Sequence, residues 1–399
     1  MIGLTGWPFL CLIIAVAAGS IGGTVWLWPR LARQRASQIA ARLGLILLSQ
    51  TILLAAFAAY ANDTFGFFSS WSALLGTGHE QLAATSSSVI APAASATPLT
   101  VTGSSFGTMF RGGAVFGSDV SFRLAGVAPG RPALEARAAA AGVVLRVTIH
   151  GEYTGIVAAD DYVFLPPQYF QPAFRAMRFP VILTFTGYPN DPLNLMRLLN
   201  LPAIAARLGA AGRIGPAIYV MVNPSVALPR DTECTNIPAG LQVATFFGTD
   251  VPLAIERTFA ATASRSGWAA IGYSTGAYCA VKMAMLYPGQ FTAAVGLSGY
   301  YVADKDRTTG DLYGGSLGYR HENDLEWRLT HLPAPPVSVL VASSASGEKS
   351  LPNTLAFIRL VKPPLSGYAL ILPRGGHNYY TWRRELPQSL EWLSRRLHE

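Results

Sequence analysis

The sequence predicts an α/β fold, a mostly parallel central sheet with helices on both faces, preceded by two transmembrane helices. Three observations support this prediction. From about residue 100 the chain alternates strand-like and helix-like segments, which is typical of layered α/β folds. The strand-like runs are apolar without alternation, as in a parallel sheet covered on both faces. Two long uncharged stretches lie within the first 75 residues.

The two uncharged stretches are residues 7–28 and 43–61, and each is long enough to cross about 30 Å of hydrocarbon as a helix. The loop between them is basic and contains no acidic residue; its arginines are Arg30, Arg33, Arg35 and Arg42. By the positive-inside rule this loop faces the cytoplasm, so the N-terminus and everything after residue 62 lie outside. The alternative is a cleaved signal peptide, which normally has basic residues before its apolar run. Here the first basic residue is Arg30.

We therefore expect a multi-pass protein of the cell membrane. Its anchor spans residues 1–79, a linker follows at 80–100, and an extracytoplasmic α/β domain occupies 101–399. Residues 81–99 are mostly small and uncharged, which is typical of a linker. Residues 65–75 contain Phe67, Phe68 and Trp71 and are a candidate for a further short helix at the membrane interface.

The elements of the outer domain follow from apolar runs and their spacing. Strands are predicted at 143–150, 162–165, 180–186, 217–222, 268–272, 293–298, 337–342 and 368–373. Helices are predicted between them at 193–208, 249–263 and 277–287. A C-terminal helix packed on the core is indicated by helical spacing of Leu386, Leu390, Leu393 and Leu397.

Composition excludes some classes of function. The net charge is +8, but the 30 basic residues form no Lys/Arg run and no basic patch interleaved with aromatic residues. Nucleic-acid binding therefore has no support. No Cys-x-x-Cys motif and no histidine-rich cluster occurs, so we do not expect a metal site.

Two of the three cysteines are candidates for a disulfide. Cys11 falls in the first membrane stretch, whereas Cys234 and Cys279 lie in the outer domain, where oxidising conditions permit a disulfide. Two isolated buried thiols are the alternative. The segment 231–234 is expected to be a solvated loop held by that disulfide, although its place after a strand would also let it line a pocket.

A candidate nucleophile stands in the pentapeptide 272–276, Gly-Tyr-Ser-Thr-Gly, between the strand at 268–272 and the helix that ends before Pro288. A strand, a tight Gly-x-Ser-x-Gly turn and a helix form a nucleophile elbow, which exposes the serine hydroxyl. This context predicts Ser274 as a catalytic nucleophile.

A serine needs a neighbouring base, and His377 is the predicted base. It follows the last apolar strand, after Gly375 and Gly376, and it is the histidine downstream of Ser274 that stands at the carboxyl end of a strand. A loop histidine without a role is the alternative.

The orienting acid is expected between nucleophile and base in the chain. Glu348 follows the strand at 337–342 and is the only acidic residue between Glu326 and Glu385, so it is the predicted acid. The alternative is that Glu348 pairs with solvent or Lys349 while an earlier aspartate reaches the histidine.

Donors for the developing oxyanion are expected from the backbone. One is the N–H of Thr275, directly after the nucleophile. The other is the N–H of Tyr188, in the loop after the strand at 180–186.

Four segments together resemble an esterase family that includes esterase D and the antigen 85 mycolyltransferases. They are residues 165–170 (Leu-Pro-Pro-Gln-Tyr-Phe), 183–188 (Leu-Thr-Phe-Thr-Gly-Tyr), 272–276 and 375–378 (Gly-Gly-His-Asn) with Trp382. The resemblance covers about residues 140–398. It implies an α/β-hydrolase fold, acyl-ester chemistry without a cofactor, and a triad at Ser274, Glu348 and His377. The antigen 85 proteins are secreted, whereas this chain is expected to stay anchored, and their trehalose and mycolate contacts do not transfer.

The sequence thus predicts a membrane-anchored extracytoplasmic serine esterase or acyltransferase that acts through an acyl-enzyme on Ser274. Its expected substrate is a small-molecule or a lipid or sugar ester, and the membrane is its expected partner. The alternative is a catalytically inactive envelope protein that uses the hydrolase fold for binding.

Overall fold

In a computed structural model of the chain, the structure describes residues 7–33, 35–65, 71, 74, 99–100, 120–123, 138–303 and 305–398. These residues fall into two compact units. The first unit contains the N-terminal helices and two short loops, Ser344–Lys349 and Pro373–Thr381. The second unit contains the sheet and the helices that cover it.

Two long apolar helices form the N-terminal part of the chain. Helix α1 spans Trp7–Leu27 and α2 spans Ala36–Phe65, with a 3₁₀ turn at Trp28–Leu31 between them. Both are long and apolar enough to cross a membrane. The hydroxyl oxygens of Thr24 and Ser49 lie 2.9 Å apart, so a hydrogen bond joins the two helices.

Helix α2 begins before the uncharged stretch predicted at 43–61. The preceding residues, 36–42, include alanine, glutamine and arginine, which have high helix propensity, so the helix extends into a charged segment. The linker predicted at 80–100 lies outside the described residues except for 99–100, as does most of the helix predicted at 65–75.

A ten-stranded sheet forms the centre of the second unit in the described part of the chain, in the order β1-β3-β4-β6-β5-β7-β8-β9-β10, with β2 beside β3. Strands β6, β5, β7, β8 and β9 pair in parallel, whereas β4 pairs antiparallel with β3 and β6. The strands are β1 Leu99–Thr100, β2 Val120–Arg123, β3 Val143–His150, β4 Val157–Leu165, β5 Val181–Phe185, β6 Ile218–Val222, β7 Trp268–Tyr273, β8 Ala293–Leu297, β9 Ser338–Ser344 and β10 Ser366–Leu372.

Helices follow most of the parallel strands. They are α3 Leu193–Arg197, α4 Leu201–Ala210, α5 Val243–Thr245, α6 Val251–Thr258, α7 Thr275–Leu286, α8 Leu317–Asn323, α9 Leu325–His331, α10 Leu351–Leu360 and α11 Tyr379–Ser394. A π-helical turn, Phe246–Asp250, joins α5 to α6. In α11, Leu386, Leu390 and Leu393 are buried, which confirms the predicted C-terminal helix; Leu397 lies beyond its end.

Two predicted helices differ from the observed ones for local reasons. The single helix predicted at 193–208 is divided because Asn200 adopts a left-handed conformation with φ 60°. The helix predicted at 249–263 ends at Thr258. The residues after it are extended, since the N–H of Phe179 donates to the carbonyl of Ala260 and the N–H of Thr262 donates to that of Phe179.

The central strands are buried, as the uninterrupted apolar runs predicted. Every residue of β5, β6, β7 and β8 is buried. The expectation of cover on both faces is wrong for β10, whose residues are exposed or half-buried, with Tyr368 44% exposed. Strand β10 is the last in the sheet order, and an edge strand has a neighbour on one side only.

Candidate active site

Ser274 stands on a sharp turn between a strand and a helix. Strand β7 ends at Tyr273 and α7 begins at Thr275, and between them Ser274 has φ 57° and ψ −125°. A serine with positive φ is strained, and such residues persist where the surrounding structure holds them. The N–H of Ser274 donates to the carbonyl of Leu297 at 3.0 Å, which fixes the turn to the end of β8. The turn has the geometry of a nucleophile elbow.

Glycines flank Ser274 because the backbone leaves no room for side chains. A Cβ atom at Gly272 would overlap the carbonyl of Gly276, and a Cβ atom at Gly276 would overlap the carbonyl oxygen of Thr186. The glycines at both ends of the pentapeptide are therefore required by close approach as well as by the tight turn.

The loop after β5 packs against Ser274. A Cβ atom at Gly187 would lie 3.0 Å from Cβ of Ser274, so the backbone just before Tyr188 passes beside the serine side chain. The Tyr188 hydroxyl donates to the carbonyl of Pro229 at 2.5 Å, which anchors this loop to the segment after β6.

Thr275, the predicted oxyanion donor directly after Ser274, is the first residue of α7. The first N–H groups of a helix have no acceptor within the helix, and the helix dipole favours negative charge at this end. The structure thus places the Gly187 backbone, just before Tyr188, beside Ser274, which Thr275 directly follows in the chain. The role of Thr275 and Tyr188 as donors stays a prediction.

Trp382 of α11 supports the elbow from below. Its ring stacks on Tyr273, with 4.2 Å between the ring centroids, and its indole N–H donates to Oγ of Ser298 at 2.8 Å. Tyr273, immediately before Ser274, is therefore held in place by Trp382, which lies near the C-terminus of the chain.

In the first unit, Glu348 and His377 lie side by side. The Nδ1 atom of His377 is 3.8 Å from Oε1 of Glu348, whose side chain is fully buried, while the imidazole is 31% exposed. The distance is longer than a hydrogen bond, and catalytic hydrogen bonds are often long before substrate binds. A buried acid beside a partly exposed imidazole is the arrangement that orients a general base.

Hydrogen bonds hold the two loops that carry this pair. The N–H of Gly375 donates to the carbonyl of Ser346 at 3.0 Å, and Oγ of Ser346 donates to the carbonyl of Pro373 at 3.2 Å. The N–H of Gly376 donates to Oγ1 of Thr381 at 2.8 Å. The loop before His377 is thus tied both to the loop of Glu348 and to the start of α11.

A disulfide joins Cys234 to Cys279, so the segment at 231–234 is tied to α7. The expectation that this segment is solvated is wrong, because Asp231, Thr232, Glu233 and Cys234 are all at most 4% exposed. Burial raises the pKa of Asp231, although hydrogen bonds from the N–H of Glu233 and from Ser225 oppose the shift. The sequence offered no signal of this burial, since a short polar segment between strands usually lies at the surface.

Among residues 7–33, 35–65, 138–303 and 305–398 and the shorter described segments, no group of three or more His, Cys, Asp or Glu side chains is placed to hold a metal ion.

Comparison with known proteins gives a family match. Residues 160–393, more than half of the chain, match the family described as Putative esterase. An uncharacterized protein of Corynebacterium glutamicum is 23% identical over 263 residues. That alignment covers 64% of this chain and 61% of the relative, so the chain spans less than two thirds of the relative's length.

Two solved structures share the fold. A ferulic acid esterase is 19% identical with a TM-score of 0.52, and the match covers 64% of this chain and 99% of the esterase. The S-formylglutathione hydrolase from Agrobacterium tumefaciens is 16% identical with a TM-score of 0.53, covering 65% and 97% respectively. The predicted α/β-hydrolase fold is confirmed.

Proposed function

The chain belongs to the Putative esterase family, and from that premise we propose that it is a membrane-anchored, extracytoplasmic carboxylic-ester hydrolase or acyltransferase with Ser274 as nucleophile. The observation that carries the proposal is the elbow. Ser274 has positive φ at the end of β7, with the first N–H groups of α7 and the Gly187 loop beside it. A strained turn of this kind is expected of a nucleophile, because it exposes the serine hydroxyl.

In the proposed reaction, His377 removes the hydroxyl proton of Ser274 as its oxygen bonds to the ester carbonyl carbon. Glu348 orients the imidazole and stabilises its charge. The N–H groups of Thr275 and Tyr188 stabilise the oxyanion. The carbon–oxygen bond to the leaving alcohol then breaks, and the imidazolium returns the proton to that alcohol.

The acyl-enzyme is resolved by a second hydroxyl. His377 deprotonates either water or an acceptor alcohol, whose oxygen attacks the acyl carbon. The bond between the acyl carbon and Oγ of Ser274 then breaks, and the imidazolium of His377 returns the proton to that oxygen. Hydrolysis and acyl transfer therefore share every step except the identity of this acceptor.

The proposed location rests on two features of the chain. Helices α1 and α2 are long and apolar enough to span a membrane, and the arginines between them favour a cytoplasmic loop. The disulfide between Cys234 and Cys279 fits an oxidising compartment. A small-molecule, lipid or sugar ester reached from the outer membrane surface is the proposed substrate class.

A single labelling experiment tests both chemistry and location. Cells that express the full chain are treated with a membrane-impermeant fluorophosphonate, either intact or after detergent lysis. We expect labelling in both conditions, and none for Ser274→Ala. His377→Ala and Glu348→Gln should lower kcat for p-nitrophenyl acetate, the former by about 10⁴-fold or more.

Ser366→Ala is the control, because Ser366 is an exposed serine at the start of β10; it should still be labelled. Wild-type protein that stays unlabelled in lysate would contradict the enzyme proposal and favour a binding protein. Labelling confined to lysate would overturn the extracytoplasmic location.

A further inference from the structure

Beside the elbow lies a polar cluster that the proposed triad does not use. We call Asp231, Glu233, Thr275 and Tyr300 the Thr275 cluster. Asp231, Glu233 and Thr275 are at most 5% exposed, and Tyr300 is partly buried. Burying two carboxyl groups costs free energy unless their partners compensate, so the cluster calls for a physical reason.

The contacts of the cluster converge on the Thr275 side chain. The Tyr300 hydroxyl lies 2.7 Å from Oε1 of Glu233 and 3.0 Å from Oγ1 of Thr275. A phenol has one proton, and a carboxylate can only accept. The Tyr300 proton therefore goes to Glu233, and the Thr275 hydroxyl donates to the Tyr300 oxygen, which is closer to it than Oδ2 of Asp231 at 3.5 Å.

The loop that supplies the carboxyl groups is itself fixed to α7. Cys234 is bonded to Cys279, and Nζ of Lys282 donates to the carbonyl of Glu233 at 3.0 Å and to Oγ1 of Thr235 at 2.8 Å. Glu233 and Cys234 both have positive φ, 47° and 46°, and such strain persists only where neighbouring bonds hold it.

The 231–235 loop is therefore bonded to α7 at Cys279 and at Lys282. Thr275, on the same helix, directly follows Ser274. Thr275 is also the first residue of its helix, where the backbone has few hydrogen bonds of its own. A shift of about 1 Å in a catalytic group can cost about 100-fold in rate.

We propose that Tyr300 and Glu233 are positioning residues of the oxyanion hole. Tyr300 holds Oγ1 of Thr275, Glu233 holds Tyr300, and the N–H of Thr275 is thereby kept at the place where the oxyanion forms. This inference rests on the proposed function of Ser274. Burial, followed by the charges of Glu233 and Asp231, raises the pKa of Tyr300 well above its ordinary value, so its hydroxyl keeps its proton throughout the working range.

Tyr300→Phe is the central variant, and Tyr278→Phe is its matched control. Tyr278 is fully buried on α7, stacks on Tyr300 with 5.6 Å between ring centroids, and donates to the carbonyl of Asn323 at 2.6 Å. Each substitution removes one hydroxyl and keeps the ring, but only Tyr300 reaches Thr275.

With p-nitrophenyl acetate, we expect Tyr300→Phe to lower kcat about 10- to 100-fold and to leave KM unchanged, since a transition-state interaction is lost. The inhibition constant of a trifluoromethyl ketone, whose adduct carries an oxyanion, should rise by a similar factor. Tyr278→Phe should keep the wild-type kcat and inhibition constant.

A double-mutant cycle gives a second readout. Thr275→Val keeps the backbone N–H and removes Oγ1, so it should lower kcat as Tyr300→Phe does. The double variant should be no slower than either single variant, because both substitutions break the same contact.

The inference is overturned if Tyr300→Phe matches wild type or Tyr278→Phe in kcat, or if the two substitutions act independently. In either case Ser274-dependent turnover by wild-type protein would leave the proposed function standing. Wild-type protein without Ser274-dependent turnover would overturn both.

Discussion

Helix α7 borders two regions that are built in opposite ways. On the side of the elbow, the chain closes by removing side chains, with Gly272, Gly276 and Gly187 bringing backbone against backbone. On the side of the 231–235 loop, it closes around buried polar groups, including Glu233 and Lys282, both fully buried. The first region tolerates no added atom, and the second tolerates no unpaired charge.

The difference shows two ways to hold a strained serine. Close packing of glycines sets the path of the backbone, while hydrogen bonds from the polar side set the orientation of the first turn of α7. Substitutions on the two sides should therefore have different effects. On the glycine side they should disturb backbone packing, and on the polar side they should leave buried charges or hydrogen-bonding groups unpaired.

The largest expected effect on stability comes from the covalent tie of the polar side. The disulfide closes a loop with a sequence separation of 45, and the loop-closure model gives about 4 kcal/mol for that length. Cys234→Ala/Cys279→Ala should lose about this much free energy of unfolding, measured by denaturant titration of the full chain in detergent.

Cys11→Ala is the control, since Cys11 is a free cysteine of α1; it should unfold like wild type. Reductant should destabilise wild type and Cys11→Ala but leave the double variant unchanged. Equal unfolding midpoints of wild type with and without reductant would argue against a stabilising disulfide.

The next effect breaks the glycine side. In Gly276→Ala the new methyl group would overlap the Thr186 carbonyl, at a cost of about 3 kcal/mol for an overpacked site. Because that carbonyl precedes Gly187, the Gly187–Tyr188 loop should shift, and kcat/KM should fall about 100-fold. Denaturant unfolding measures the loss of stability, and ester turnover measures the fall in kcat/KM.

Gly289→Ala is the matched control, because a Cβ atom there meets nothing within 4 Å. It should change stability by less than about 0.5 kcal/mol and leave turnover unchanged. A Gly276→Ala protein as stable and active as Gly289→Ala would mean that close packing does not hold the elbow.

A smaller effect sharpens the contrast through pH. Burial lowers the pKa of Lys282 from 10.5 to about 7, opposed by Glu233 and assisted by Arg328. Between pH 7 and about 10 the unfolded chain keeps the lysine proton while the folded chain releases it, so raising the pH stabilises the fold. The contribution from pH 7 to pH 9 is about 2 kcal/mol.

Lys282→Met should lose this rise, and the comparison is the difference in free energy of unfolding between variant and wild type at the two pH values. Lys305→Met removes an exposed lysine and should keep the wild-type slope. A parallel pH dependence in wild type and Lys282→Met would show that Lys282 does not titrate in this range.

Much of the elbow region could be predicted from the sequence, because the patterns that indicate it involve residues close together in the chain. The apolar runs predicted β5, β7 and β8, and the Gly-x-Ser-x-Gly spacing placed Ser274 between a strand and a helix. Chain order also singled out Glu348 and His377, which lie side by side. That Glu348 and His377 act as acid and base for Ser274 remains a proposal, which Glu348→Gln and His377→Ala test.

The burial of the 231–235 loop, on the polar side of α7, could not be predicted from the sequence, and the reason is physical. Residues 231–234 were predicted to form a solvated loop, because polar segments between strands are usually exposed, yet they are buried. Their cover comes from residues distant in the chain, such as Tyr300 and α7. In the same way, the composition of β10 does not show that it lies at the edge of the sheet.

The sequence by itself determined the α/β class, two apolar helices, and an elbow with a serine between glycines, because each depends on residues adjacent in the chain. Only the tertiary structure decided that the Gly187 backbone passes beside Ser274, that the 231–235 loop is buried, and that Tyr300 joins Glu233 to Thr275. Those contacts join residues that are 25 to 87 positions apart by their numbers. Long-range packing, which no local pattern encodes, brings them together.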